Sequence, residues 1–141
     1  MTVPAPESKK LQFEIPCSSE FISAARKAIE SVCTRLSLSK SEVGDIALAV
    51  GEACANAVKF SSLDKTPIRV TCAVYPEKLV ITVRNRGAAF VKGERYLMMP
   101  PTEQLDKGGM GLYLISRVMD ELKVSSRNGT TTLRMVKKLR E

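Results

Sequence analysis

Apolar residues recur at helical spacing in three parts of the chain. Such spacing, with every third or fourth residue apolar, is typical of a helix with one buried face. Serines ahead of the first two segments are suitable N-caps. The predicted helices run from Ser18 or Ser19 to about Leu36, from Ser39 or Ser41 to about Phe60, and from Gly111 to Leu122.

Other segments alternate apolar and polar residues and are rich in β-branched side chains, which indicates strands. Pro76, Glu77 and Lys78 separate two such segments and predict a hairpin. Asn128-Gly129 separates two more, and this dipeptide favours a type I′ turn. The predicted strands are Leu11 to Ile15, Ile68 to Tyr75, Leu79 to Asn85, Lys123 to Ser126, and Thr131 to Leu139.

This order of elements predicts an α+β fold, a two-layer α/β sandwich with a mixed, mainly antiparallel sheet and helices on one face. Residues 1–9 are predicted to form a flexible N-terminal arm, and residues 10–141 a single domain. Neither the helical spacing nor the strand alternation of apolar residues continues between Gly87 and Gly109. Loops of that length in compact domains are usually functional lids or disordered.

The composition excludes several kinds of chemistry. The chain has no histidine, so a Ser-His-Asp triad, a Cys-His pair and most transition-metal sites are excluded. Its four cysteines form no CxxC pair, and no secretory signal precedes them, so we expect reduced thiols. No run approaches the roughly 20 apolar residues of a membrane span. We therefore expect a cytoplasmic protein without a membrane partner.

The formal net charge of +7 suggests an acidic partner. Part of the excess lies near the C-terminus, and its simplest explanation is a solvated strand face and tail. Nucleic-acid binding is the alternative, but single-strand binders combine basic residues with aromatic ones. Only 5% of the residues are aromatic, so we do not expect direct nucleic-acid binding.

Glu52 and Asn56 are the polar side chains of the apolar segment from Ile46 to Val58. They lie one helical turn apart and share a face. Buried polar groups of this kind need partners. One interpretation is a structural pair that bonds to backbone groups. The other is a site in which the asparagine oxygen binds Mg²⁺ and the carboxylate accepts a proton.

Two further segments carry candidate chemistry. Lys107 precedes Gly108-Gly109-Met110-Gly111, which leads directly into a predicted helix. Glycines and a helix N-terminus suit phosphate binding, and the alternative is a flexible hinge. The second segment, from Val83 to Gly87, ends a predicted strand. A polar side chain there can contact a base edge, and the alternative is a plain turn.

Taken in order, the three segments resemble the ATP-binding boxes of the GHKL superfamily, which includes gyrase and the histidine kinases. The resemblance extends from about Asp45 to Leu122 and is strongest to the bacterial anti-sigma factor serine/threonine kinases. ALAVGEACANAV resembles the first box of that branch, and GGMGLYLISRVMDEL resembles its glycine box with the helix that follows.

The resemblance implies a role for each matching residue. Glu52 corresponds to the general base and Asn56 to the Mg²⁺ ligand. Asn85 stands where the family has an adenine-binding aspartate, and Ala89 where it has a second glycine. These two departures predict weaker nucleotide binding, since a neutral hydrogen bond is weaker than a charge-assisted one. The other implied nucleotide-binding residues are Gly87, Lys107 near the γ-phosphate, Gly108, Gly109, Met110, Gly111 and Leu112.

The implied function is an ATP- and Mg²⁺-dependent protein serine/threonine kinase that phosphorylates an anti-anti-sigma factor and sequesters a sigma factor by partner switching. The resemblance also implies a homodimer. The predicted loop from Phe90 to Lys107 corresponds to the lid over the γ-phosphate. The alternative is a partner-switching module of the same fold that binds proteins without catalysis.

Overall fold

A computed structural model of the chain describes residues 9–62, 64–87, 93–96 and 110–139, with the backbone alone described for residues 93–96 and 110. The described strands form one six-stranded sheet in the order β1-β2-β3-β6-β5-β4, and every described pairing is antiparallel. The strands are β1 Lys9–Ile15, β2 Ile68–Val74, β3 Lys78–Arg86, β4 Gly93–Tyr96, β5 Glu121–Arg127 and β6 Thr130–Lys138.

Within the described part of the chain, three α-helices cover one face of this sheet: α1 Ile22–Cys33, α2 Lys40–Lys59 and α3 Met110–Val118. Helix α2 lies between the other two and packs on β3. Alternate residues of β3, namely Leu79, Ile81 and Val83, point into the core under the helices. The predicted two-layer α+β fold is confirmed, with the sheet antiparallel in its described part.

The start of α2 is set by its sequence. The backbone N–H of Glu42 donates to the Ser39 hydroxyl at 3.1 Å, and the N–H of Ser39 donates to the Glu42 carboxylate at 3.0 Å. This capping box satisfies two backbone donors that the first turn would otherwise leave unpaired. It selects Ser39 from the two predicted caps and fixes the register of a helix that carries Glu52 and Asn56.

Three of the predicted boundaries were wrong. The Ser18 hydroxyl bonds to the Glu20 carboxylate and caps no backbone group, and a 3₁₀ turn precedes α1. Helix α1 ends at Cys33 because the following turn tightens to bonds between residues three apart. Helix α3 ends at Val118, whose carbonyl accepts a hydrogen bond from the Lys137 ammonium at 2.7 Å.

The structure also bears on the predictions for the long loop, the last hairpin turn, the cysteines and the N-terminal arm. Strand β4 lies within the segment from Gly87 to Gly109, which was predicted to lack regular structure. A strand of four residues is too short for an alternation of apolar and polar residues to be recognised in the sequence. Asn128 and Gly129 have φ values of 51° and 76°, which confirms the type I′ prediction. All four cysteines are free, as predicted. The predicted arm lies outside the described residues except for Lys9, which begins β1.

A helix that spans a membrane must be long and apolar along most of its length. None of the described helices combines the necessary length with sufficient apolar character.

Replacing Ser39 by alanine tests the capping box. We expect Ser39→Ala to lower the free energy of unfolding by about 1 kcal/mol, because it removes the acceptor for the Glu42 N–H. Urea unfolding followed by circular dichroism measures the change. Ser37→Ala, in the turn before the helix, serves as a control, and equal losses in the two variants would contradict the assignment.

Candidate functional site

Asn56 is almost completely enclosed, with 7% of its surface exposed, and its side-chain amide nitrogen has no hydrogen-bond partner among the residues that the structure describes. A buried polar group left in this state costs about 1–3 kcal/mol. Glu52, one turn earlier on α2, is partly exposed. A structural pair would satisfy its own hydrogen bonds, so the orphaned amide favours the interpretation in which a ligand completes the site.

The first turn of α3 lies directly against this pair. A Cβ atom placed on Gly111 would be 3.3 Å from the Asn56 amide nitrogen and 3.8 Å from the Glu52 Cβ. The unpaired N–H groups of a helix start bind phosphate well. The structure therefore brings together two segments that are more than fifty residues apart in the sequence, with the glycine leaving room between them.

Asn85 lies on the helix-facing side of β3 and is 5% exposed. Its amide nitrogen donates a long hydrogen bond of 3.4 Å to the carbonyl of Arg86. With the nitrogen oriented in this way, the side-chain oxygen remains available as an acceptor. An acceptor at the end of a core strand is what an exocyclic amino group of a base requires.

Thr131 is a buried polar residue that the sequence analysis missed. It lies directly opposite Asn85 on β6, is 3% exposed, and its hydroxyl has no hydrogen-bond partner within the described part of the chain. Residues opposite each other on one face of a sheet have Cβ atoms roughly 5 Å apart. Asn85 and Thr131 thus form a second buried pair with unused hydrogen-bonding capacity.

Gly87 holds the two pairs at the same end of the molecule. A Cβ atom at this position would lie 2.0 Å from the carbonyl oxygen of Phe60, which follows α2. The neighbouring Ser62 N–H donates to the Arg86 carbonyl at 2.8 Å, and the Gly87 N–H donates to the Gly129 carbonyl at 2.8 Å. Gly87 is required for this close approach, and its φ angle is not in the positive region.

The structure describes only some of the other predicted site residues. Ala89, Lys107, Gly108 and Gly109 lie outside the described residues, as does most of the predicted lid. Met110 begins α3 and is described by its backbone alone. Leu112 is 1% exposed with its side chain in the core, so only its backbone can contact a ligand.

Three buried thiols are unsuited to nucleophilic chemistry. Burial raises the pKa of Cys54 on α2 to about 12. Burial is also the main cause that raises the pKa of Cys72 to about 12 and the pKa of Cys33 to about 11. A thiol with such a pKa stays protonated at neutral pH and is a poor nucleophile and metal ligand. Over the described part of the chain, no cluster of three histidine, cysteine or acidic residues is suited to hold a metal ion.

The residues of the site nevertheless fit Mg²⁺ held together with phosphates. Magnesium in such sites takes one or two protein oxygens and completes its shell with water and substrate phosphates. A carboxamide that turns by 180° presents its oxygen where its nitrogen was. Asn56 can therefore offer an oxygen ligand beside the α3 N-terminus, with the Glu52 carboxylate one turn away.

Comparison with known protein families agrees with this geometry. A model of the histidine kinase-like ATPase domain matches residues 15–137. The chain is 30% identical over 129 residues to the serine-protein kinase RsbW of Bacillus velezensis, which covers 86% of this chain and 81% of that protein. It is 29% identical over 132 residues to the protein of the same name from Bacillus cereus, covering 89% and 82%.

Solved structures share the fold. The RsbU and RsbW domains of a Mycobacterium tuberculosis protein superpose with a TM-score of 0.71 at 17% identity, covering 95% of this chain and 34% of that one. This chain therefore spans about a third of the longer chain in that structure. The SiaB-SiaC complex of Pseudomonas aeruginosa superposes with a TM-score of 0.64 at 19% identity, covering 89% of this chain and 88% of that one.

Replacing Gly87 by alanine tests the contact that joins α2 to β3. We expect Gly87→Ala to lower the free energy of unfolding by about 1–3 kcal/mol, because the backbone must move to admit the methyl group. Gly44→Ala is the matched control. Nothing lies within 4 Å of its added Cβ, and alanine favours a helix, so we expect a gain of up to about 1 kcal/mol. Urea unfolding measures both, and an unchanged midpoint for Gly87→Ala would contradict the close approach.

Proposed function

The chain belongs to the histidine kinase-like ATPase domain family, and from this membership we propose that it is an ATP-dependent protein serine/threonine kinase acting as an anti-sigma factor. Its proposed substrate is an anti-anti-sigma factor. The observation that carries the proposal is the position of Gly111, which places the start of α3 against Glu52 and Asn56. The serine-protein kinase names of the curated relatives support the same activity.

The nucleotide is proposed to lie across the end of the sheet where these residues meet. The N–H groups at the start of α3, including that of Leu112, would donate to the phosphates. Asn85 and Thr131 would bond to the adenine edge through their free oxygen and hydroxyl. Asn56 would hold Mg²⁺, which supplies charge neutralisation for the phosphates when bound. Ala89, Lys107, Gly108, Gly109 and Met110 stay predicted nucleotide-binding residues.

Glu52 would act on the attacking group. In phosphoryl transfer the serine or threonine oxygen bonds to the γ-phosphorus while the bond to the β-phosphate oxygen breaks. The hydroxyl proton must leave as this bond forms, and the Glu52 carboxylate is proposed to accept it. The products are ADP and a phosphorylated side chain. Because phosphoryl transfer depends mostly on positioning and charge stabilisation, the Glu52 carboxylate would act together with the helix N-terminus and with the Mg²⁺ that Asn56 would hold.

A groove beside Glu52 offers a place for the protein substrate. It lies between α1 and α2 and is lined by Ile22, Arg26, Leu48, Gly51, Glu52 and Ala55. Leu48 is 40% exposed, which is high for a large apolar side chain. The Arg26 side chain crosses Gly51, where an added Cβ would be 3.0 Å from its Cδ. A segment lying here would bring its hydroxyl to the side of Glu52 that α3 does not cover.

Partner switching follows from this chemistry. Phosphorylation adds a charge of about −2 to the antagonist and disrupts an interface that packed a neutral hydroxyl. The released kinase would then sequester its sigma factor. We further propose that the protein acts in the cytoplasm as a homodimer, without direct contact to nucleic acid.

The second candidate function is a module of the same fold that switches partners without catalysis. Asn85 favours it, because a neutral amide replaces the aspartate that the family uses. The two candidates differ in nucleotide binding, so titration of ATP with Mg²⁺ into the full chain separates them. Absence of binding at millimolar ATP would exclude the kinase.

The role of Glu52 is tested by substitution. We expect Glu52→Gln to retain ATP binding within a fewfold and to slow phosphoryl transfer by about 10²-fold or more, because the amide cannot accept the proton. Transfer of labelled phosphate from ATP to a candidate antagonist measures the rate. Asp45→Asn, which removes a carboxylate earlier on the same helix, is the control and should leave the rate unchanged. Unimpaired transfer by Glu52→Gln would exclude it as the base.

The role of Asn85 is tested by restoring the charge. We expect Asn85→Asp to tighten ATP binding by roughly fivefold, since a charge-assisted hydrogen bond is about twice as strong as a neutral one. Isothermal titration calorimetry measures the affinity. Arg84→Gln alters the adjacent residue on the opposite face and is the control. Equal or weaker binding by Asn85→Asp would contradict a base contact at this position.

A further inference from the structure

The face of the sheet turned away from the helices, called the open face below, is strongly basic. Alternate residues of each strand project onto it. On β1–β3, where Glu14 is the only carboxylate among the outward-facing residues, the outward-facing cations are Lys10, Arg69, Lys78, Arg84 and Arg86. This half of the open face therefore carries a large positive excess.

The other half of the open face continues the pattern. Strands β5 and β6 add Lys123, Arg127, Arg134 and Lys138, with Glu121 as their outward-facing carboxylate. Across the five strands whose side chains are described, nine outward-facing cations stand against two carboxylates. Their difference equals the formal net charge of +7 for the whole chain. In contrast, α1 and α2 together carry four cations and four carboxylates.

Some cations of the open face lie opposite one another on paired strands, which lowers the stability of the sheet. Arg69 lies directly opposite Arg84 across the β2–β3 pair, and Lys78 lies directly opposite Lys138 across the β3–β6 pair. Like charges in such positions repel and destabilise a sheet. Glu14 reduces the repulsion between Arg69 and Arg84, because its carboxylate forms an ion pair of 3.3 Å with Arg69, between side chains that are about half exposed. An anionic ligand would reduce the repulsion that remains among the cations of the open face.

Arg84 is held in a geometry suited to such a ligand. Its Nε donates to the Thr132 hydroxyl at 3.3 Å, which positions the guanidinium over the neighbouring strand and leaves the terminal amino groups outside that bond. Together with Arg69 and Arg86 it lines a depression of about 250 Å³ at the end of the strands, which also includes Asn85 and the carboxylate of Glu14 that is paired with Arg69. Guanidinium groups bind carboxylates through two parallel hydrogen bonds, which gives orientation as well as affinity.

We propose that the open face is a docking surface for an acidic segment of a partner protein. An extended segment projects alternate side chains to one side about 7 Å apart, which matches the spacing of Arg84 and Arg86 along β3. Among the outward-facing strand side chains that are described, none is aromatic. Binding of single-stranded nucleic acid relies on stacked aromatic rings. The charge and composition of this face therefore favour carboxylates on a protein.

The test uses the full chain and a labelled twelve-residue peptide with glutamate at alternate positions. Fluorescence anisotropy should show binding that weakens as sodium chloride rises from about 50 to about 200 mM. Arg84→Glu should weaken it about tenfold, because it removes a ligand and adds a repulsive charge. Arg134→Glu, on β6, should act in the same direction. Lys27→Glu changes the net charge equally on exposed α1 and should leave the affinity within about twofold of wild type.

Stability and nucleotide binding supply independent readouts. Arg84→Glu should raise the urea midpoint of unfolding, because an attractive pair with Arg69 replaces a repulsive one. Arg134→Glu should bind ATP with the same affinity as the wild type. Three results would overturn the proposal: no peptide binding, equal weakening by Lys27→Glu, or tighter binding of a mixed-sequence oligonucleotide than of the peptide. None of these results depends on whether the protein is a kinase.

Discussion

The contact between Gly87 and the carbonyl of Phe60 determines the geometry of the candidate site. It joins the end of α2 to the end of β3 at a distance that no other residue permits. Asn56 lies in the last turn of α2, and Asn85 lies two residues before Gly87. Two polar side chains on different layers are thus held at the same end of the molecule, because Gly87 lets the backbones of α2 and β3 approach closely. The site is positioned by the backbone, and the side chains add its chemistry.

Local patterns were sufficient to predict most of the fold. Helix α2 was predicted well because its apolar spacing and the serines before it agree. The end of α3 was not, because Leu122 fits the helical spacing and also the alternation of β5, where its side chain is buried. A residue compatible with both periods cannot mark a boundary. The helix ends where the Asp120 N–H donates to the Val136 carbonyl of β6 at 2.8 Å and the Val118 carbonyl accepts from Lys137, and both contacts join distant parts of the chain.

The candidate site was predictable only where its residues carry a local signal. Glu52 and Asn56 are polar residues within an apolar helix, and Gly111 belongs to a cluster of glycines. Thr131 has neighbours of its own type in the sequence and gives no such signal. Its importance comes from its register opposite Asn85 and from a buried hydroxyl that bonds to none of the described residues. Pairing between strands, which depends on the folded sheet, was needed to find it.

The buried thiols offer a way to observe how the two layers separate. Cys33, Cys54 and Cys72 belong to α1, α2 and β2 respectively, and all three lie in the core between the helices and the sheet. A thiol reagent can reach them only when that core opens. The alkylation rate of each thiol therefore reports the opening of its own element. The natural sequence contains three reporters of internal motion, and a ligand that bridges α2 and α3 should slow the reaction of Cys54 most.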